Sequence, residues 1–143
     1  MFKLLEGQTD QETFDTVISK LAAQGKPSFD TGRGFCLYKH GDCKCAVGLL
    51  FSEDAPEDAY SFTGNVKDLY ERYMIAKPRN LPLLFALQQA HDFPVLDYDC
   101  NHYNPISEES WRERAALRAV AVAEQYNLNP AEAYAWLDRQ PLE

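Results

Sequence analysis

The chain lacks long apolar runs. None of its 143 residues belongs to a stretch near the ~20 apolar residues that a membrane-spanning helix requires. It also lacks clustered cations. Lys and Arg total 14 against 22 Asp and Glu, a formal net charge of −8. The densest basic set, Arg112, Arg114 and Arg118, is interleaved with Glu108, Glu109 and Glu113. Phosphate backbones and anionic membranes are held by grouped cations. Direct nucleic-acid and membrane binding are therefore not expected. The three histidines, His40, His91 and His102, are too few for a phosphohydrolase built from several His and Asp ligands. A Ser-His-Asp order, a G-x-S-x-G elbow, a P-loop and a G-x-G-x-x-G turn are all missing, and Gly32-Arg33-Gly34 is too short to cradle a phosphate. Without repeats, low-complexity tracts or a linker, the chain is expected to be one domain over 1–143. The opening residues Met1 to Glu6 turn polar too early for a signal peptide, so the expected location is the cytoplasm.

What is present is the balance of a globular protein, with 45% hydrophobic and 25% charged residues. Thr9 and Glu12 have capping-box spacing, and Phe14, Val17, Ile18 and Leu21 recur at helical spacing. The pattern predicts a helix from Asp10 to Gln24, ended by Gly25 and Pro27. Further helices are predicted from Asn65 to Ala76, from Asn80 to Asp92 before Pro94, from Glu108 to Tyr126 after a Ser107 cap, and from Asn129-Pro130 to Leu137. Ser52 to Phe62 reads as an acidic loop or short helical turn. The expected class is α+β and predominantly helical, with about five helices and one short β-hairpin near residues 35–46.

The hairpin is where spacing is most informative. A turn at His40-Gly41 would set Lys39 opposite Asp42, Tyr38 opposite Cys43, and Cys36 opposite Cys45. Cys36, Tyr38, Cys43 and Cys45 would share one face, with Cys36 and Cys45 about 4.5 Å apart at Cα in a non-hydrogen-bonded pair. Three readings of these cysteines stand open. They are small buried hydrophobes in a packed hinge between the first helix and the rest. They are zinc ligands, with Cys36, Cys43 or Cys45 joined by His40 or His91, although Cys43-Lys44-Cys45 is not the usual C-x₂-C. Or they form a disulfide or reactive thiol, which a cytoplasmic setting disfavours. Cys100 has no neighbouring cation to activate it. His91-Asp92, near Asp97, Asp99 and His102, suggests either a helix closure or a metal site.

Several segments together resemble a group of small uncharacterised proteins of tailed bacteriophages and prophages. They are Gln24-Gly25-Lys26, Cys36-Leu37-Tyr38, Lys44-Cys45-Ala46-Val47-Gly48, Leu87-Gln88-Gln89-Ala90-His91-Asp92, and Trp111 leading to Tyr126-Asn127-Leu128. Lys39 stands in place of an arginine, Leu50-Phe51-Ser52 in place of an Ile-Pro-Asp type turn, and Cys43 and Cys100 are additions to that pattern. The resemblance implies a viral accessory protein in the bacterial cytoplasm. The leading functional expectation is a non-enzymatic, cofactor-free inhibitor that binds a host protein, such as a nucleic-acid-binding defence complex of the CRISPR type. Its contact surfaces would be Glu53, Asp54, Glu57 and Asp58, together with Glu108, Glu109 and Glu113. The alternative is a small-molecule- or metal-binding protein, for sequestration or hydrolysis, using Cys36, Cys45, Tyr38, His91 and Asp92, with Cys36, Cys45 and His91 as its metal set. A third is a virion or assembly component.

Overall fold

A computed structural model describes residues 2–30, 35–96 and 107–139. Six α-helices lie among them: α1 (Asp10–Gln24), α2 (Glu57–Tyr60), α3 (Val66–Arg72), α4 (Leu81–Leu96), α5 (Glu108–Gln125) and α6 (Ala131–Asp138). Four two-residue strands complete the frame: β1 (Phe29–Asp30), β2 (Phe35–Cys36), β3 (Lys39–His40) and β4 (Cys43–Lys44). The protein is a mainly helical α+β fold, as its periodicity predicts. The sixth helix is the single turn α2, in the acidic segment read as loop or helical turn.

Local chemistry places most helix starts. Thr9 Oγ1 accepts from the Glu12 amide at 3.1 Å, and Glu12 Oε1 accepts from the Thr9 amide at 3.1 Å. Asn65 and Asp68 repeat the device for α3. Single acceptors serve α4, α5 and α6, namely Asn80 Oδ1 for Leu83, Ser107 Oγ for Ser110 and Asn129 Oδ1 for Ala131, whereas α2 starts without one. Each such cap contributes about 1 kcal/mol by satisfying an amide that the helix leaves open. The end of α4 departs from expectation, because the helix continues through Pro94 to Leu96. So near a C-terminus, proline costs one backbone hydrogen bond without breaking a long run.

The helices pack as a chain of neighbours, α4 on α5, α5 on α6 and α6 on α1. Ala115, Ala116, Ala119 and Ala123 are fully buried on α5, so their small side chains let the neighbouring helices approach. Trp111 and Trp136, also buried, meet with ring centroids 5.6 Å apart. On the other side, Phe51 contacts Phe2, Tyr38 and Tyr60 in an aromatic cluster beneath the N-terminal segment. That segment is fixed by backbone bonds from Leu5 to Leu50 and from Ser52 to Lys3.

The hairpin register differs from the sequence expectation. Lys39 pairs with Lys44 and His40 with Cys43, so the turn is Gly41-Asp42. Gly41 has φ of +62°, and the first central position of a tight hairpin turn favours such a residue. The expected His40-Gly41 turn places the glycine second. Consequently Tyr38, not Cys36, stands opposite Cys45, whose amide donates to the Tyr38 carbonyl at 3.2 Å. Cys36 pairs instead with Phe29 in the β1–β2 ladder. The apolar run after β4 turns inward as a buried 3₁₀ turn at Gly48–Leu50. There the Gly48 backbone lies against the Tyr38 carbonyl so closely that a Cβ would collide with it.

Candidate functional site: a polar hub beside a cleft

The motif segments, distant in sequence, converge on one polar hub. Gln88 and Asp92 are four residues apart and so share a face of α4. Gln88 Nε2 donates to both Asp92 carboxylate oxygens, at 2.9 and 3.0 Å. Gln88 Oε1 accepts from the Val47 amide at 3.0 Å, tying α4 to the hairpin. Gln24 clamps the hairpin from α1: its amide exchanges two 2.8 Å hydrogen bonds with the Lys44 backbone. The hairpin region is thus bonded to both α1 and α4.

His91 is fully buried. Its Nε2 lies 2.9 Å from the Ser28 amide, which can only donate, so Nε2 is the acceptor. The proton therefore sits on Nδ1, which donates to Asp92 Oδ1 at 2.6 Å. Trp111 Nε1 donates to the His91 carbonyl at 2.8 Å, and the two rings meet edge-on with centroids 5.5 Å apart. His91 does not close its helix, which runs on to Leu96; it joins the segment before β1 to α4 and α5 instead.

The thiols around this hub are held neutral. Burial, followed by the Asp92 charge, pushes Cys36 far above the ordinary thiol range, and its thiol hydrogen-bonds to Asp92. Burial pushes Cys45 up to about 12, and its sulfur accepts from the Gly48 amide at 3.4 Å. Cys43 is raised as well, chiefly by burial, with Lys26 opposing. A protonated, buried thiol is a poor nucleophile and a poor metal ligand. The three described cysteines are free rather than bridged.

Among the described residues, the donor atoms of Cys36, His91 and Asp92 lie within 4.8 Å of one another. Asp92 thus takes the place that the sequence reading gave to Cys45, and exposed His40 and buried Cys43 stay apart from the group. The trio does not suit a metal as arranged. A cation at Nδ1 would displace its proton and turn the ring's Nε2–H against the Ser28 amide. A cation at Nε2 would leave that buried amide without its acceptor. Asp97, Asp99, Cys100 and His102 lie outside the described residues, as do Tyr98, Tyr103 and Gly32-Arg33-Gly34.

Asp92 and Cys36 reach the surface in a cleft of about 410 Å³. Tyr38, Phe62, Phe85 and Gln89 form other parts of its wall, and the Tyr38 hydroxyl donates to the Gly64 carbonyl at 2.8 Å, bracing the rim. Sequence reasoning missed Phe62, Phe85 and Gln89 as site residues. The only signal for them was Gln89's place in the Leu87–Asp92 segment.

The acidic residues occupy two separate elements. Glu53, Asp54, Glu57 and Asp58 are exposed in and before α2, with Asp54 accepting from Ser52 and Asp58 hydrogen-bonded to the Tyr73 hydroxyl. Lys39 and Lys44 border this set, with their ammonium groups 5.3 and 5.5 Å from the Tyr60 ring centre. Glu108, Glu109 and Glu113 are exposed on the first turns of α5. Two of the interleaved arginines are engaged elsewhere, Arg112 with the Gly25 carbonyl and Arg118 over the Phe93 ring. No described helix is long and apolar enough to cross a membrane. Comparison of the chain with protein-family models, with curated proteins and with solved structures yields no match.

Proposed function

We propose that this protein works by binding rather than by chemistry, as a phage or prophage accessory factor that inhibits a host protein in the bacterial cytoplasm. The observation that carries the binding half is the state of His91. Both of its ring nitrogens are committed, to Ser28 and Asp92, and the adjacent thiols are neutral. The set most like a catalytic one is thereby spent on holding the fold. The phage half rests on the resemblance in the Cys36–Gly48 and Leu87–Asp92 segments. The exposed carboxylates Glu53, Asp54, Glu57 and Asp58, with Glu108, Glu109 and Glu113, supply the charge for a basic partner surface, such as the nucleic-acid groove of a defence complex.

The test is affinity capture from a bacterial lysate across a salt series, with the wild type beside a variant carrying Glu53→Gln, Asp54→Asn, Glu57→Gln and Asp58→Asn, and a second carrying Glu108→Gln, Glu109→Gln and Glu113→Gln. The expected result is one partner held by the wild type at low salt, weakened by high salt, and lost from at least one variant. A partner retained equally by both variants, or no partner at any salt, would overturn the acidic-surface reading.

A further inference from the structure

Among the described residues, the cleft beside the hub has a charge that its walls do not answer. Asp92 keeps a quarter of its side chain exposed. Its donors are the Gln88 amide, the neutral His91 Nδ1–H and the Cys36 thiol, none of which carries positive charge. Among the described lining residues there is no lysine, arginine or histidine. Of the three aromatic rings of the wall, Tyr38 is buried, and Phe62 and Phe85 are half-buried and offer apolar surface. Gln89 is exposed at the rim with an amide oxygen able to accept.

We infer that this cleft is a binding site for an organic cation, a guanidinium or primary ammonium on a short apolar stem, with Asp92 as its counter-ion. The chemistry follows from the walls. A fixed carboxylate in a partly dry cleft attracts a cation more strongly than an exposed one does. With Gln88, His91 and Cys36 already on its oxygens, Asp92 attracts the cation chiefly through its uncompensated charge. Phe62 and Phe85 can pack an alkyl stem and favour a cation over their rings. The volume lies within the range of small-ligand pockets. A phosphate would meet only repulsion from Asp92. The cation can be a free small molecule or a basic side chain offered by a partner protein. The site is distinct from the exposed acidic surfaces, so its failure and theirs are separable.

The experiment is a titration of the ¹⁵N-labelled full chain, followed by amide shifts. Three probes are used: butylguanidinium as a free guanidinium, a blocked tripeptide centred on arginine, and the same tripeptide with citrulline, which keeps the shape and loses the charge. Butylguanidinium or the arginine peptide should shift the amides of Cys36, Gln88, Gln89 and Asp92, and the citrulline peptide should bind at least about tenfold more weakly, the scale of one lost charge-assisted contact. Tighter binding of butylguanidinium assigns a free ligand; tighter binding of the peptide assigns a partner's side chain. Asp92→Asn should weaken the better probe at least about tenfold. Because Asp92 also serves the hub, Gln89→Lys is the companion variant. It places an ammonium at the exposed rim and should weaken binding comparably with unchanged thermal stability. The substitutions at Glu53, Asp54, Glu57 and Asp58 should leave this binding intact. The inference is overturned if no probe shifts the cleft amides at roughly 10 mM, if citrulline binds as well as arginine, or if Gln89→Lys binds like the wild type.

Discussion

The carboxylate of Asp92 and the carboxylates of Glu53 to Asp58 are chemically alike and differently employed. Asp92 is oriented by Gln88 and His91 on α4. Glu53, Glu57 and Asp58 stand in solvent on a one-turn helix and the loop before it. The first kind of group holds backbone segments together, and its loss leaves buried donors without partners. The second sets the charge seen by an approaching molecule, and its loss leaves the fold nearly untouched. A total of 22 acidic residues thus says little until each is placed.

Substitutions that separate these two regions should differ widely in cost. The largest effect is expected from Gly48→Ala, where the new methyl meets the Tyr38 carbonyl, a backbone atom that cannot swing away. A loss of at least about 3 kcal/mol in urea unfolding is expected; a loss under 1 kcal/mol would show that the hairpin and 3₁₀ turn separate easily. His91→Ala strands the Ser28 amide and opens a space beside Trp111, and should cost about 2–4 kcal/mol. Gln88→Ala removes the acceptor of the Val47 amide and should cost about 1–3 kcal/mol by the same measurement. At the other extreme, the fourfold neutralisation of Glu53, Asp54, Glu57 and Asp58 should change stability by no more than about 0.5 kcal/mol. If it costs as much as Gln88→Ala, the contrast between the regions fails.

The pH dependence sharpens the same contrast. Cys45 moves from its ordinary 9.0 to about 12 in the fold. Its folded form therefore keeps a proton that the unfolded chain releases above pH 9. The associated stability is complete below that point and declines as pH rises toward 12, with a slope of up to about 1.4 kcal/mol per pH unit for one such group. Cys45→Ala should flatten this alkaline decline, whatever it does to stability at neutral pH. An unchanged slope would place the decline at the other groups that burial raises, Cys36, Cys43 and Tyr38.

The sequence disclosed the helices better than the site, for identifiable reasons. Helix starts are local: Thr9, Asn65 and Ser107 cap amides three residues away, so spacing alone exposes them. The hairpin turned on a choice between two adjacent turn positions for one glycine, and periodicity could not make it. Moving Gly41 to the first position exchanged the partner of Cys45 from Cys36 to Tyr38. Pro94 misled because proline is read as a stop wherever it falls, whereas its cost depends on how many hydrogen bonds lie beyond it. His91 and Asp92 were recognisable as a pair, but the partner that fixes the tautomer, Ser28, is 63 residues away. No local pattern encodes that bond.

The Trp111 hydrogen bond gives the hub a natural reporter. Its indole N–H ends on the carbonyl of His91, and its ring meets the imidazole edge-on. Any change that rotates His91 or loosens α4 must alter the surroundings of that one proton and that one fluorophore. Because the other tryptophan, Trp136, lies on α6 against the same ring, the two indole signals also separate a disturbance entering from the cleft from one entering through the helical core.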